Sequence, residues 1–210
     1  MNTRKIIFLI CSVLFFTEFS YAQRCFELEI GPLWPRVLLD SQKPTAWNTA
    51  FKTGYSFDKI ISLGGGVDFL WNRNNQEENL GGNVYKTVTY EQTYMFPISG
   101  FMSISPLPEL KIQPRFSGQI GLNTLYFSHS KDTVVIQNGN NTSHIYENGW
   151  YMGFYWKICA DALFKLGENT GIFTGLDYQW TKPKKLEQKD IFAKRDMSGV
   201  GFRIGIKAEI

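Results

Sequence analysis

The sequence predicts an all-β fold: an eight-stranded antiparallel up-and-down transmembrane β-barrel that follows an N-terminal signal peptide. Three observations predict it. Stretches of about ten residues or more alternate apolar and polar side chains, and that is the length a tilted strand needs to cross a bilayer. The connections between them alternate short and long. Charge is confined to one parity of the alternation. A strand sends successive side chains to opposite faces, so each parity reports one surrounding.

Residues 1–22 read as the signal. Arg4 and Lys5 precede the apolar run IIFLICSVLFF, and Ser20 and Ala22 are the small residues before a cut after Ala22. The run is too short to span a bilayer as a helix. Residues 23–210 form the barrel domain, and no later apolar stretch is long enough for a membrane helix. The charged fraction of 20% is low and the aromatic fraction of 16% is high. A net charge of +3 is too small to point to nucleic acid, and two histidines limit imidazole chemistry and metal binding.

The first strand, 25–34, sets Phe26, Leu28 and Ile30 against Glu27 and Glu29. The second, 47–57, sets Trp47, Phe51 and Tyr55 against Asn48, Lys52 and Ser56, and a tight turn at Asp58 and Lys59 follows. The third, 60–72, sets Leu63, Val67, Phe69 and Trp71 against Ser62, Asp68 and Asn72. A polar loop is expected over 72–83. The fourth, 84–104, carries Tyr90, Tyr94 and Phe96 opposite Glu91 and Thr93, and SPLPE turns the chain. The fifth, 111–127, sets Phe116, Ile120, Leu122 and Tyr126 against Lys111, Arg115, Gln119 and Asn123. Pro114 cannot donate to a ladder, so a bulge or a shifted boundary is expected there. A long Asn-rich loop is expected over 128–148. The sixth, 149–164, sets Trp150, Phe154, Trp156 and Ile158 against Tyr155, Lys157, Cys159 and Asp161, and KLGEN turns. The seventh, 170–180, sets Leu176, Tyr178 and Trp180 against Phe173, Asp177 and Gln179. The eighth, 198–210, sets Phe202, Ile204 and Ile206 against Arg203 and Lys207.

The turns after the second, fourth and sixth strands are short and the other connections long, the asymmetry of a membrane barrel. The apolar parity carries essentially no charge except Lys86. The other parity collects Glu27, Glu29, Asp68, Glu91, Asp161, Asp177 and Glu209, with Lys52, Lys111, Arg115, Lys157, Arg203 and Lys207. A soluble lipocalin-like barrel binding a hydrophobic ligand would point the same parities the other way. The aromatics Trp47, Trp71, Trp150, Trp180, Tyr126 and Tyr90 near the long-loop ends favour the membrane form, as an interfacial girdle. The last strand is then expected beside the first, with Glu27 and Glu29 close to Lys207 and Arg203.

With eight strands, side chains just fill the interior. The charges Glu27, Glu29, Lys52, Asp68, Glu91, Arg115, Lys157, Asp161, Asp177, Arg203 and Lys207 are therefore expected to form an internal salt-bridge network, not a channel. The loop TKPKKLEQKDIFAKRDM is strongly basic, and Lys182, Lys184, Lys185 and Lys189 are candidates for contact with lipopolysaccharide phosphates. His129 and His144, with Ser128, Ser130 and Ser143 and the acids Asp132 and Glu147, are the material a lipid-modifying barrel enzyme would use, without a diagnostic spacing. Cys25 and Cys159 lie on strands that are not neighbours, so two free thiols are expected. No metal, cofactor or nucleotide motif occurs.

The alternating strands resemble the small outer-membrane barrels of the OmpA/OmpX type. More narrowly, YMFPISGFMSI with Pro97 and IQPRFSGQIGLN with Gly118 and Gly121 resemble strands of the PorT-like outer-membrane β-barrel family. The resemblance implies a monomer in the cell outer membrane of a Gram-negative-type bacterium, with outer-membrane lipid and lipopolysaccharide around it. It further implies envelope or secretion-complex proteins as partners. The role expected is structural, adhesive or assembly-related, carried by the outer loops, without catalysis, cofactor or nucleic acid.

Overall fold

The computed structural model describes residues 22–35, 46–79, 85–135, 141–186 and 196–210. The expected signal segment, up to residue 21, and Lys189 lie outside them. Among the described residues nine strands occur: β1 (Gln23–Pro35), β2 (Ala46–Phe57), β3 (Ile61–Asn79), β4 (Tyr85–Ile104), β5 (Ile112–Val135), β6 (Asn141–Lys165), β7 (Thr170–Thr181), β8 (Lys184–Lys185) and β9 (Gly199–Glu209). Each of β1 to β7 pairs antiparallel with the next, β7 pairs with β9, and β9 pairs with β1, so the sheet closes into an eight-staved barrel. The two-residue β8 only extends the edge of β6, at Tyr151↔Lys185 and Met152↔Lys184.

The stagger can be followed around one rung. It runs Cys25, Gly54, Gly64, Phe101, Gln119, Lys157, Gln179, Gly199 and returns to β1 at Pro35, ten residues (35 − 25) above its start. A stagger of that size over eight strands tilts them by about 40°. Each rung therefore climbs as it goes round. Trp34, Trp47, Trp71, Phe96, Phe154 and Trp180 come to one height, with ring contacts Phe69–Phe96 at 5.0 Å and Phe154–Trp180 at 6.5 Å. From this girdle down to Ile61 and Ile104 the outward face is an apolar band about 25 Å tall. Leu28 is 60%, Ile98 66% and Leu122 61% exposed on it.

Local chemistry explains the short-turn end. Asp58 and Lys59 both adopt positive φ, 49° and 59°, and Ile60 donates to the Phe57 carbonyl at 2.9 Å. That is the two-residue turn whose twist matches a hairpin. Lys59 Nζ also reaches the Glu168 carbonyl at 3.2 Å, tying the β2–β3 turn to the β6–β7 turn across the barrel end.

Four sequence expectations are corrected. The loops expected over 72–83 and 128–148 are largely paired strand: β3 runs to Asn79, β5 to Val135, and β6 starts at Asn141. Backbone N–H and C=O groups of Thr, Tyr and Asn residues pair without any apolar parity once the strand has left the apolar band. Pro114 produces no bulge. It pairs with Ala162 in an unbroken register, beyond the last β4–β5 pair at Ile104↔Phe116, and the β5–β6 irregularity falls at Thr133/Val134 instead. Tyr90, Tyr126 and Trp150 lie above the girdle, because the climbing rung carries their strands' loop ends higher. Lys111 is exposed in the turn before β5 and does not face the interior.

Candidate functional site: a sealed interior and an outer rim

The interior has two layers. The lower layer is charged. Glu29 lies at its centre and binds three cations, Lys52 at 2.8 Å, Lys157 at 3.0 Å and Arg203 at 2.7 Å. Lys157 also meets Asp68 at 2.5 Å, and the Tyr155 hydroxyl donates to the same carboxylate at 3.0 Å. Arg115 bridges Glu27 at 2.5 Å and Asp161 at 3.1 Å, while Arg203 Nε donates to Asp161 at 2.8 Å. The Phe173 ring fills the space between these groups, its centroid 4.2 Å from the Arg115 guanidinium carbon and 5.3 Å from that of Arg203. It fits because Gly205 lacks a Cβ, which would stand 2.4 Å from the ring.

The parity places Glu27, Glu29, Lys52, Asp68, Arg115, Lys157, Asp161, Asp177, Arg203 and Lys207 inside and buried. They are not one network. Asp177 packs against Gly201 and makes no ion pair among the described residues. Lys207 is paired across the barrel wall with Glu27, yet its ammonium meets Glu209 at 2.9 Å and the Ser62 hydroxyl at 3.2 Å. Glu91 stands apart: it meets His129 Nδ1 at 3.1 Å in the upper part of β4 and β5. Parity assigns a face but not a height, and Glu91 is too high on β4 to reach the other charges. Cys25 and Cys159 are buried free thiols.

The upper layer is mostly apolar, with Asn72, Thr93, Asn123 and Thr181 buried at the same level and Asn123 donating to the Thr181 hydroxyl at 3.0 Å. Leu33, Ala46, Leu70, Met95, Leu125, Phe127, Tyr151 and Met197 form one buried cluster across the long-loop end of the barrel. On β1, β2, β3, β5 and β6 these residues lie nearer that end than the charges of the lower layer do. Their signal was present in the sequence as apolar residues on the polar parity, such as Leu70 and Leu125. A layer of mutually paired charges capped by a buried, mostly apolar one offers ions no continuous wet path. Purified protein in a planar lipid bilayer is therefore expected to give no discrete conductance steps; regular steps in the hundreds of picosiemens would overturn the sealed interior.

The outer rim holds the remaining candidates. Lys182 pairs with Asp196 at 3.2 Å and its ammonium lies 6.0 Å from the Trp180 ring centroid. Partial burial disfavours the Asp196 carboxylate, but hydrogen bonds from the Ser198 hydroxyl and backbone and from Lys182 outweigh it and hold its pKa below the usual value. Lys184 is exposed and Lys185 half-buried at the edge of β6, level with Met152 and Tyr151. Ser128, Ser130 and Asp132 fall on the outward parity of β5, opposite to His129. The hydroxyls beside His129 in sequence thus lie across the sheet from its ring. The side chains of Ser143, His144 and Glu147 are outside the described ones.

No protein-family model matches the chain, and no curated protein matches it in sequence. Among solved structures it is similar to the Neisserial surface protein A, NspA, at 10% identity over 90% of this chain and 97% of that one, with a TM-score of 0.47. It is similar to the N-terminal β-barrel domain of Pseudomonas aeruginosa OprF at 13% identity over 90% and 99%, TM-score 0.41. It is also similar to Ail, the attachment invasion locus protein of Yersinia pestis, at 12% identity over 90% and 96%, TM-score 0.41.

Proposed function

We propose that the chain is an integral outer-membrane barrel whose task is to hold a rigid sheet above the membrane as a docking surface, without catalysis. The membrane reading is supported by the exposed apolar band, its height of about 25 Å, its aromatic girdle and the buried interior charges. A lipocalin-like binder needs the opposite arrangement, with an apolar interior and a charged outer face.

The docking reading is carried by one observation: β3 to β6 continue as paired strands well past the girdle, where β1, β2, β7 and β9 end near it. The register runs on from Trp71↔Tyr94 to Asn79↔Lys86, and from Tyr126↔Trp150 to Thr133↔Ser143. Closure of the barrel does not need this extension. Among the described residues no strand pairs with the outer edge of β3 beyond Trp71, and such an edge can accept an added strand. Lys182, Lys184 and Lys185 at the rim suit the phosphates of surrounding lipopolysaccharide. Support of an envelope or secretion assembly, which the PorT-like resemblance implies, is the more specific form of the same reading.

The test joins fractionation to crosslinking. The protein is expected in the outer-membrane fraction, soluble only with detergent, with a gel mobility that changes on boiling. A photo-crosslinking residue at Asn75 or Glu77 is expected to capture a protein that the same probe at Leu28 does not. Extraction into buffer without detergent would sink the membrane reading, and equal labelling at all three positions would sink the docking one.

A further inference from the structure

On the outward face of the extension, charge lies at Arg73, Glu77 and Asp132, and the patch that these flank on β4, β5 and β6 is aromatic and uncharged polar. Tyr126 and Trp150 are cross-strand partners with ring centroids 5.1 Å apart. Beyond them, Tyr90 and Tyr146 flank Ser130 in one rung, at Tyr90↔Ser130↔Tyr146, and are 42% and 57% exposed. The rung between the two aromatic sets is Gln92↔Ser128↔Asn148, and the Asn148 amide donates to the Tyr146 hydroxyl at 2.9 Å. The central strand therefore presents only small serines between two walls that each carry a tyrosine and an amide. Two strand spacings make this trough about 10 Å wide.

We propose that this trough binds the saccharide headgroup of an outer-leaflet glycolipid. A pyranose has an apolar C–H face and a rim of hydroxyls. The first matches an aromatic ring and the second matches amide and hydroxyl side chains. Acyl chains would leave the amides and serines unpaired, and the nearest cation in these rungs, Arg73 opposite Gln92, stands on β3, outside the two walls. An added β-strand would use an edge, whereas this is a face. The height selects the source: the trough rises from roughly 5 to 20 Å above the girdle, where the sugars of the lipids surrounding the barrel stand. The inference rests on the membrane reading but not on strand addition at the β3 edge.

The test uses the full chain folded in nanodiscs free of lipopolysaccharide, with dephosphorylated core oligosaccharide from lipopolysaccharide as the probe and calorimetry as the readout. Saturable binding is expected. The double variant Tyr90→Ala, Tyr146→Ala should weaken it by about tenfold or more, the worth of losing ring stacking, while Tyr90→Phe, Tyr146→Phe retains it. Lipid A without core sugars should bind the wild type and the double alanine variant alike. Each variant is first checked for the boiling-dependent mobility shift, which reports a closed barrel. No binding of the oligosaccharide, or equal binding by the alanine variant, overturns the proposal. Preference for a sulfated glycosaminoglycan over the core oligosaccharide overturns the glycolipid as its source. A wild-type protein that stays in buffer without lipid fails at the membrane reading, before the trough is tested.

Discussion

Arg203→Met is expected to cost about 3–5 kcal/mol of folding stability, the range for removing one partner of a buried ion pair. Arg203 is 2% exposed and binds Glu29 at 2.7 Å, Asp161 through Nε at 2.8 Å and the Ser117 hydroxyl at 3.2 Å. The cost comes less from the lost attraction than from the acids left behind. Glu29 keeps Lys52 and Lys157, but Asp161 keeps only Arg115 among the described residues, and both carboxylates are buried away from water. Methionine fills much of the arginine stem's volume, so a cavity contributes little. Lys182→Met is the matched control. Its bond to Asp196 is half in solvent, with side chains 44% and 31% exposed, and such pairs contribute roughly 0–1 kcal/mol. Urea titration of tryptophan fluorescence in lipid vesicles measures both. If the two variants lose the same amount, the interior charges behave as solvated ones and the sealed interior is wrong.

The same contrast between interior and rim marks what was legible in the sequence. Parity was legible because two solvents demand two chemistries. Leu28 and Glu29 are neighbours in the chain, yet one is 60% exposed and the other 2%. Strand number, the Asp58–Lys59 turn and the pairing of the last strand with the first follow from the same alternation and from turn length. Height was not legible. The ten-residue stagger raises Tyr126 and Trp150 above Trp47 although all three share one rung, and no periodicity within a strand records it. The extension of β3 to β6 was hidden for a different reason. Outside the apolar band both faces of a strand meet water, so Arg73, Asn75 and Glu77 alternate with other polar residues and read as a loop. The split of Glu91 from the interior charges is the joint result of both: it lies on the inward parity, but of the extension.

Leu176→Arg is expected to destabilise the protein by about 2–4 kcal/mol when folded in a bilayer, the cost of a cation on the lipid face near mid-depth. Leu176 lies on β7 opposite Phe202 and Ala160, about midway between the girdle and the short-turn end, and is 59% exposed. On a water-soluble barrel an exposed leucine exchanged for arginine would change stability by no more than about 0.5 kcal/mol. Val88→Arg supplies the reference, on the same outward parity but high on the extension, where it pairs with Asp132. Its cost is expected near zero in the same vesicles. The depth dependence, more than either value, is the measurement: a large loss at Leu176 with none at Val88 locates the apolar band in lipid. Equal small losses at both would place water around the whole barrel. The exposed apolar face would then need a covering other than lipid.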